Sequence, residues 1–152
     1  MSQKKPQPPD WRTELGSILE GRVRTSRAEQ ESAQFDAFLR QVATPALQAL
    51  CTELESHGRE AQIREAPAAI LLTVRHGDIE EIAFRVLKRP ATNGIVPYIE
   101  VRLRKGTRPI RMEGFVRSGS PNHTLDDVTQ EEIIQAFLKY YRMVLSGEAP
   151  PG

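Results

Sequence analysis

A single cysteine, Cys51, excludes a disulfide within the chain, so any fold must be held by its core. Aromatic residues make up only 6% of the sequence, and no stretch has the aromatic-rich pattern with which RRM domains stack bases. No apolar run approaches the ~20 residues of a membrane-spanning helix. The opening MSQKKPQPPD has two lysines without an apolar stretch behind them, which predicts no secretory leader. The expectation from these absences is a cytoplasmic protein without membrane contact.

Catalytic signatures are equally scarce. The three histidines, His57, His76 and His123, lie far apart, and no H-x3-H, C-x2-C or H-E-x2-H spacing occurs. Glycine-rich phosphate loops are missing. The paired carboxylates have simpler explanations. Glu80 and Glu81 neighbour each other on a strand-like run and so point to opposite faces, while Asp126-Asp127 and Glu131-Glu132 sit where the start of a helix favours negative charge. Cys51 falls near the apolar stripe of a helix, where a thiol acts as a small hydrophobe. A non-enzymatic chain with no cofactor and no metal is expected.

What the sequence does contain is patterning. Its 152 residues are 39% apolar and 27% charged, enough for one domain with a core. The net charge of +1 conceals a segregation: residues 1–28 and 63–117 are basic, residues 29–62 and 118–152 acidic. Basic charge collects in the strand-like runs and acidic charge in the helix-like ones, which predicts faces of opposite sign.

Residues 1–25 read as a flexible N-terminal tail carrying a short amphipathic segment over 10–22, in which Trp11, Leu15, Ile18 and Leu19 share one side. A single domain is expected over 26–146, followed by a disordered tail over 147–152. Ser26 and Glu29 form a capping-box pattern before a helical repeat from Phe35 to Leu54. Pro45 predicts a kink or break near Thr44, and Gly58 a stop. Four strand-like runs follow: Ala68 to Val74, Ile79 to Leu87, Pro97 to Arg104 and Ile110 to Arg117. Ala61 to Glu65 would add a short edge strand. The links at Gly77-Asp78, at Asn93-Gly94 and through Gly106 suit hairpins. Thr129 and Glu132 then cap a last helix whose stripe is Ile134, Phe137, Leu138, Tyr141 and Leu145, with Val128 stapling onto Ile133.

The fold class is therefore α+β: a four-stranded antiparallel meander with an N-terminal kinked helix and a C-terminal helix packed on one face, a two-layer sandwich. Alternation assigns Ile70, Leu72, Val74, Ile82, Phe84, Val86, Ile99, Val101, Leu103, Ile110, Met112 and Val116 to the covered side. The open side receives Arg75, Arg85, Tyr98, Glu100, Arg102, Arg104, Arg111, Glu113, Phe115 and Arg117.

Arginine with exposed rings suits a nucleic-acid platform, but it also suits a protein interface or a merely solvated face. Glu100 and Glu113 are placed to pair with Arg111 and Arg102 and so to neutralise part of the patch. The functional expectation is a small protein-interaction module: an adaptor, accessory or chaperone-like regulator. It would bind an acidic protein partner, or a second copy of itself, through the arginine face, the Trp11 segment, or both. Nucleic-acid binding by the arginine and aromatic face is the alternative. The Trp11 segment has two open fates, packing on its own domain or docking on a partner.

Overall fold

The computed structural model describes residues 10–91, 94–117 and 124–148. Of the expected tails over 1–25 and 147–152, residues 1–9 and 149–152 lie outside these residues, as do Asn93 and His123, while residues 11–25 and 147–148 are helical. Three helical elements lead the chain without a loop: α1 (Trp11–Phe38), a π-helical turn (Leu39–Ala43) and α2 (Thr44–Ser56). Five strands follow, β1 (Glu60–Ala66), β2 (Ala69–His76), β3 (Ile79–Ala91), β4 (Gly94–Lys105) and β5 (Arg108–Phe115), then α3 (Gln130–Glu148). The strands form one antiparallel sheet in chain order, with α2 laid over β1 and β2 and α3 over β4 and β3. The result is the expected two-layer α+β arrangement with five strands instead of four, the fifth being the edge strand read around Ala61 to Glu65.

The N-terminal helix differs most from its sequence reading. Asp10 caps it, accepting from the Arg12 backbone N–H at 3.2 Å. The helix then passes through Gly16, Gly21 and the Ser26–Glu29 pattern without a break. A capping-box pattern starts a helix only where the preceding chain is not helical, and here the residues ahead of Ser26 already belong to α1.

Pro45 is absorbed instead of breaking the chain. It has no N–H to give the carbonyl of Gln41, four residues back, and its ring would crowd that carbonyl. The extra residue of the π turn opens the helix just ahead of the proline. The carbonyl of Gln41 instead accepts from the Gln130 side chain of α3, at 3.4 Å.

The end of α2 follows the sequence closely. His57 is the C-cap, and Gly58 takes φ +83, a left-handed conformation that glycine adopts without a Cβ clash. Arg59 N–H donates to the Leu54 carbonyl at 2.9 Å and Gly58 N–H to Glu55 at 3.0 Å, completing a Schellman motif. Gly77 supplies the positive φ of the β2–β3 hairpin.

Every covered-side residue expected from alternation lies in the core or packs partly buried against it. The α3 stripe is rotated by about one residue. Ile133, Ala136, Phe137, Tyr140 and Val144 are buried, Ile134, Leu138 and Tyr141 only partly, and Leu145 is exposed. Both stripes are apolar in sequence. Phe84 selects between them, since Phe137 meets its ring edge-on, centroids 5.5 Å apart, and Tyr140 tilts over it. The Thr129–Glu132 capping box forms, with Thr129 N–H donating to Glu132 and Glu132 N–H to the Thr129 hydroxyl.

Among the described residues, one ionisable acid, Glu81, is buried in this core. A bulge sets Val74 opposite Ile82 but Arg75 opposite Glu80, leaving Glu81 as the extra residue. Uninterrupted alternation would aim Glu80 at the core and Glu81 at water. The bulge reverses them. Glu81 is 1% exposed, and its Oε1 accepts from Tyr141 Oη at 2.7 Å and Arg59 Nε at 3.3 Å. Its Oε2 has no hydrogen-bond partner. Burial first, and then the Glu81 carboxylate, push the Tyr141 phenol up to about 12.

Removing one partner of a buried ion pair strands the other charge, whereas an exposed pair contributes little. Arg59→Ala is therefore expected to lower unfolding stability by about 3 kcal/mol, and Arg102→Ala, at an exposed ion pair, by less than about 1 kcal/mol, both by urea denaturation. Because the Tyr141 phenol stays protonated longer in the folded state, stability falls as pH climbs from 10 to about 12. Tyr141→Phe should flatten that alkaline loss and lower stability near neutrality by about 1 kcal/mol, read from denaturation curves at both pH values.

Candidate functional site

The register of β4 against β5 arranges the charges of the open face. Glu100 stands directly opposite Glu113, and Arg102 directly opposite Arg111. Like charges face each other in both rungs, an arrangement that weakens a sheet. This is not the cross-pairing of Arg102 with Glu113 and Arg111 with Glu100 that the sequence suggested. Arg102 is committed elsewhere, to Glu80 on β3, with Nη2 to Oε2 at 3.0 Å and Nε to Oε2 at 3.2 Å. That neutralising carboxylate was not legible in the sequence, because only the bulge at Glu81 brings Glu80 to this face.

The rungs continue across the sheet. Glu100 also stands opposite Arg85, whose neighbour on β2 is Leu71, and Leu71 pairs with Arg64 on β1. In the adjacent rung, Arg102 is followed by Ala83, Thr73 and Gln62. Short side chains therefore occupy the middle of the face, with long charged ones around them. A trough of about 590 Å³ results, floored by Leu71 and Ala83 and walled by Arg85, Arg102, Arg111, Glu100 and Glu113. A second hollow, of about 530 Å³, lies beside it toward Arg64 and Arg75. Arg85 and Arg111 are exposed, and neither forms an ion pair among the described residues.

The remaining expected residues separate. Arg75 and Arg104 are exposed at the hairpin end of the sheet. Tyr98 and Phe115 are opposite each other at the far end, edge to face with centroids 5.0 Å apart. Arg89, overlooked in the sequence because it lies beyond the expected end of its strand, covers the Tyr98 ring at 4.4 Å. Partial burial, then a hydrogen bond to Glu113, raise the Tyr98 phenol above its ordinary value. Arg117 leaves the face altogether. β5 ends at Phe115, and the Arg117 guanidinium turns to the start of α3, donating to Glu132 at 2.9 Å and to the Asp127 carbonyl at 2.7 Å. It ties the last strand to the last helix.

Trp11, Leu15, Ile18 and Leu19 lie well away from the trough, exposed along α1, joined by Val23, which the sequence reading left out. Cys51 is half-buried, and burial raises its thiol pKa. Among the described residues, no three or more His, Cys, Asp or Glu side chains are grouped to hold a metal ion, and no helix is long and apolar enough to cross a membrane.

The open face of a two-layer α+β sandwich is thus a charged trough with two uncommitted arginines. No protein-family model, curated protein or solved structure matches the chain.

Glu113→Gln removes the charge beside the Tyr98 phenol and leaves only a neutral amide carbonyl as acceptor, so the phenol is held protonated less strongly. The expected outcome is one tyrosine titrating at lower pH in an alkaline absorbance titration, with the other two unchanged.

Proposed function

We propose that this chain is a non-enzymatic protein-interaction module that binds an acidic protein segment in the trough of the open sheet face. The observation that carries this reading is the pair Arg85 and Arg111, which form no ion pair among the described residues and lie beside an apolar floor. Two arginines flanking Leu71 and Ala83 offer charge-assisted hydrogen bonds at the rim and apolar contact beneath. Adaptor, accessory and chaperone-like roles all use such a surface, in the cytoplasm or elsewhere.

The alternative, nucleic acid on the same face, is favoured by arginine content but opposed by the neighbours. Glu100 and Glu113 lie side by side next to Arg102 and Arg111, and a phosphate chain brings only acceptors to that rung. A peptide brings both, with carboxylates for the arginines and N–H donors for the glutamates. The Tyr98 ring is covered by Arg89 and meets Phe115 edge-on, so it is not free as a flat stacking platform, and the exposed Phe115 alone makes a poor one.

Fluorescence anisotropy with a labelled glutamate-rich peptide and with a single-stranded oligonucleotide, both at low salt, distinguishes the readings. Peptide binding weakened at least about tenfold by Arg85→Ala with Arg111→Ala is the expected result. Binding of the oligonucleotide alone would establish the alternative. Indifference of both ligands to the substitutions would leave the face as a solvated surface.

A further inference from the structure

The exposed helix α1 raises a question independent of what the sheet binds. Its 28 residues span about 42 Å, and from Trp11 to Gln30 every side chain is exposed. Trp11, Leu15, Leu19 and Val23 recur every four residues, with Ile18 beside them, and Trp11 and Ile18 are 63% and 60% exposed. At about 100° per residue this stripe lies on the side of the helix opposite Phe35 and Phe38, which face the core. The helix would have to break for its own domain to cover the stripe.

The side that bears Trp11, Leu15 and Ile18 continues along the same helix face through Arg22, Ser26, Glu29, Ala33, Asp36 and Arg40, all exposed. Its N-terminal half is apolar and ends on an arginine. Its C-terminal half is small or polar and begins with a glutamate. Beside the Asp36 and Arg40 end lies a groove of about 250 Å³, lined also by Leu39, Thr44, Ala66 and Ile70.

We propose that α1 pairs antiparallel with α1 of a second copy, and that each copy's Trp11 seats in the groove of the other. Setting Arg22 beside Glu29 of the second copy fixes the register, and two-fold symmetry makes that ion pair twice. Ile18 and Leu15 then pack on Ala33 of the second copy, with Leu19 and Val23 on either side of its Gln30. Trp11 arrives level with Arg40 of the second copy and one turn from its Asp36, where the guanidinium can lie over the indole and the carboxylate can reach its N–H as acceptor. Parallel pairing would instead set Arg22 against Arg22 and leave both grooves empty. Covering both stripes and grooves removes on the order of 1,000 Å² from water, the lower bound for a specific interface. A lipid surface is a weaker occupant: residues 11–31 carry four arginines and four glutamates, so no positive excess attracts anionic headgroups.

Trp11 is the only tryptophan, so its fluorescence reports on the groove directly. Sedimentation equilibrium of the full chain should give twice the chain mass, and dilution should move the emission to the red as copies separate. Arg22→Glu alone and Glu29→Arg alone should each weaken dimerisation at least about tenfold. Combining them should restore it, with circular dichroism unchanged throughout. A monomer at all concentrations would overturn the proposal, as would a dimer indifferent to the single changes or not rescued by the double one. A blue shift seen only on adding phosphatidylserine vesicles would overturn it in favour of the lipid surface.

Discussion

The extra residue in β3 is the constraint on which both layers depend. A sheet with strict alternation places neighbouring glutamates on fixed faces, and shifting the phase by one residue exchanges them. At Glu81 the exchange sends one carboxylate under the helices, where Arg59 and Tyr141 meet it, and the other to the open side, where it takes Arg102. Arg59 enters from the Schellman turn that ends α2, and Tyr141 from the middle of α3. The same carboxylate therefore joins the two helices that cover the sheet. On the other face, Glu80 neutralises Arg102, while Arg85 and Arg111, which line the same trough, form no ion pair among the described residues.

Much of the fold was legible in the sequence because it rests on periodicity. The period-2 runs gave the core-facing residues of four strands, and Gly58, Gly77 and the Thr129–Glu132 box marked real ends and turns. The edge strand β1 was weakly marked, having only one packed face and a polar composition. What failed were choices between locally equal alternatives. The α3 stripe had two apolar phases one residue apart, and only the Phe84 ring below it chooses. The Ser26–Glu29 pattern is a local signal that a continuous helix overrides.

The candidate site was legible as a list of residues but not as an arrangement. Alternation placed Arg85, Arg102 and Arg111 on one side. It could not give the register that sets Arg102 against Arg111 and Glu100 against Glu113, because register depends on the turn linking the strands. Arg117 shows the other limit. Two residues beyond the end of β5, the chain has bent and the side chain serves the α3 terminus instead of the face.

The helix that begins at Trp11 reaches Ser56 with no loop, interrupted only by the π turn before Pro45. In mechanical terms it is a lever whose short arm, α2, is fixed to β1 and β2, and whose long arm extends into solvent. Its one departure from α-helical winding among the described residues is the π turn, where Gln130 of α3 holds the Gln41 carbonyl. A load applied at the far tip is thus delivered to the junction of the two helices on the covered side. The trough lies across the sheet from that junction, so the lever and the trough share the five strands as a common base.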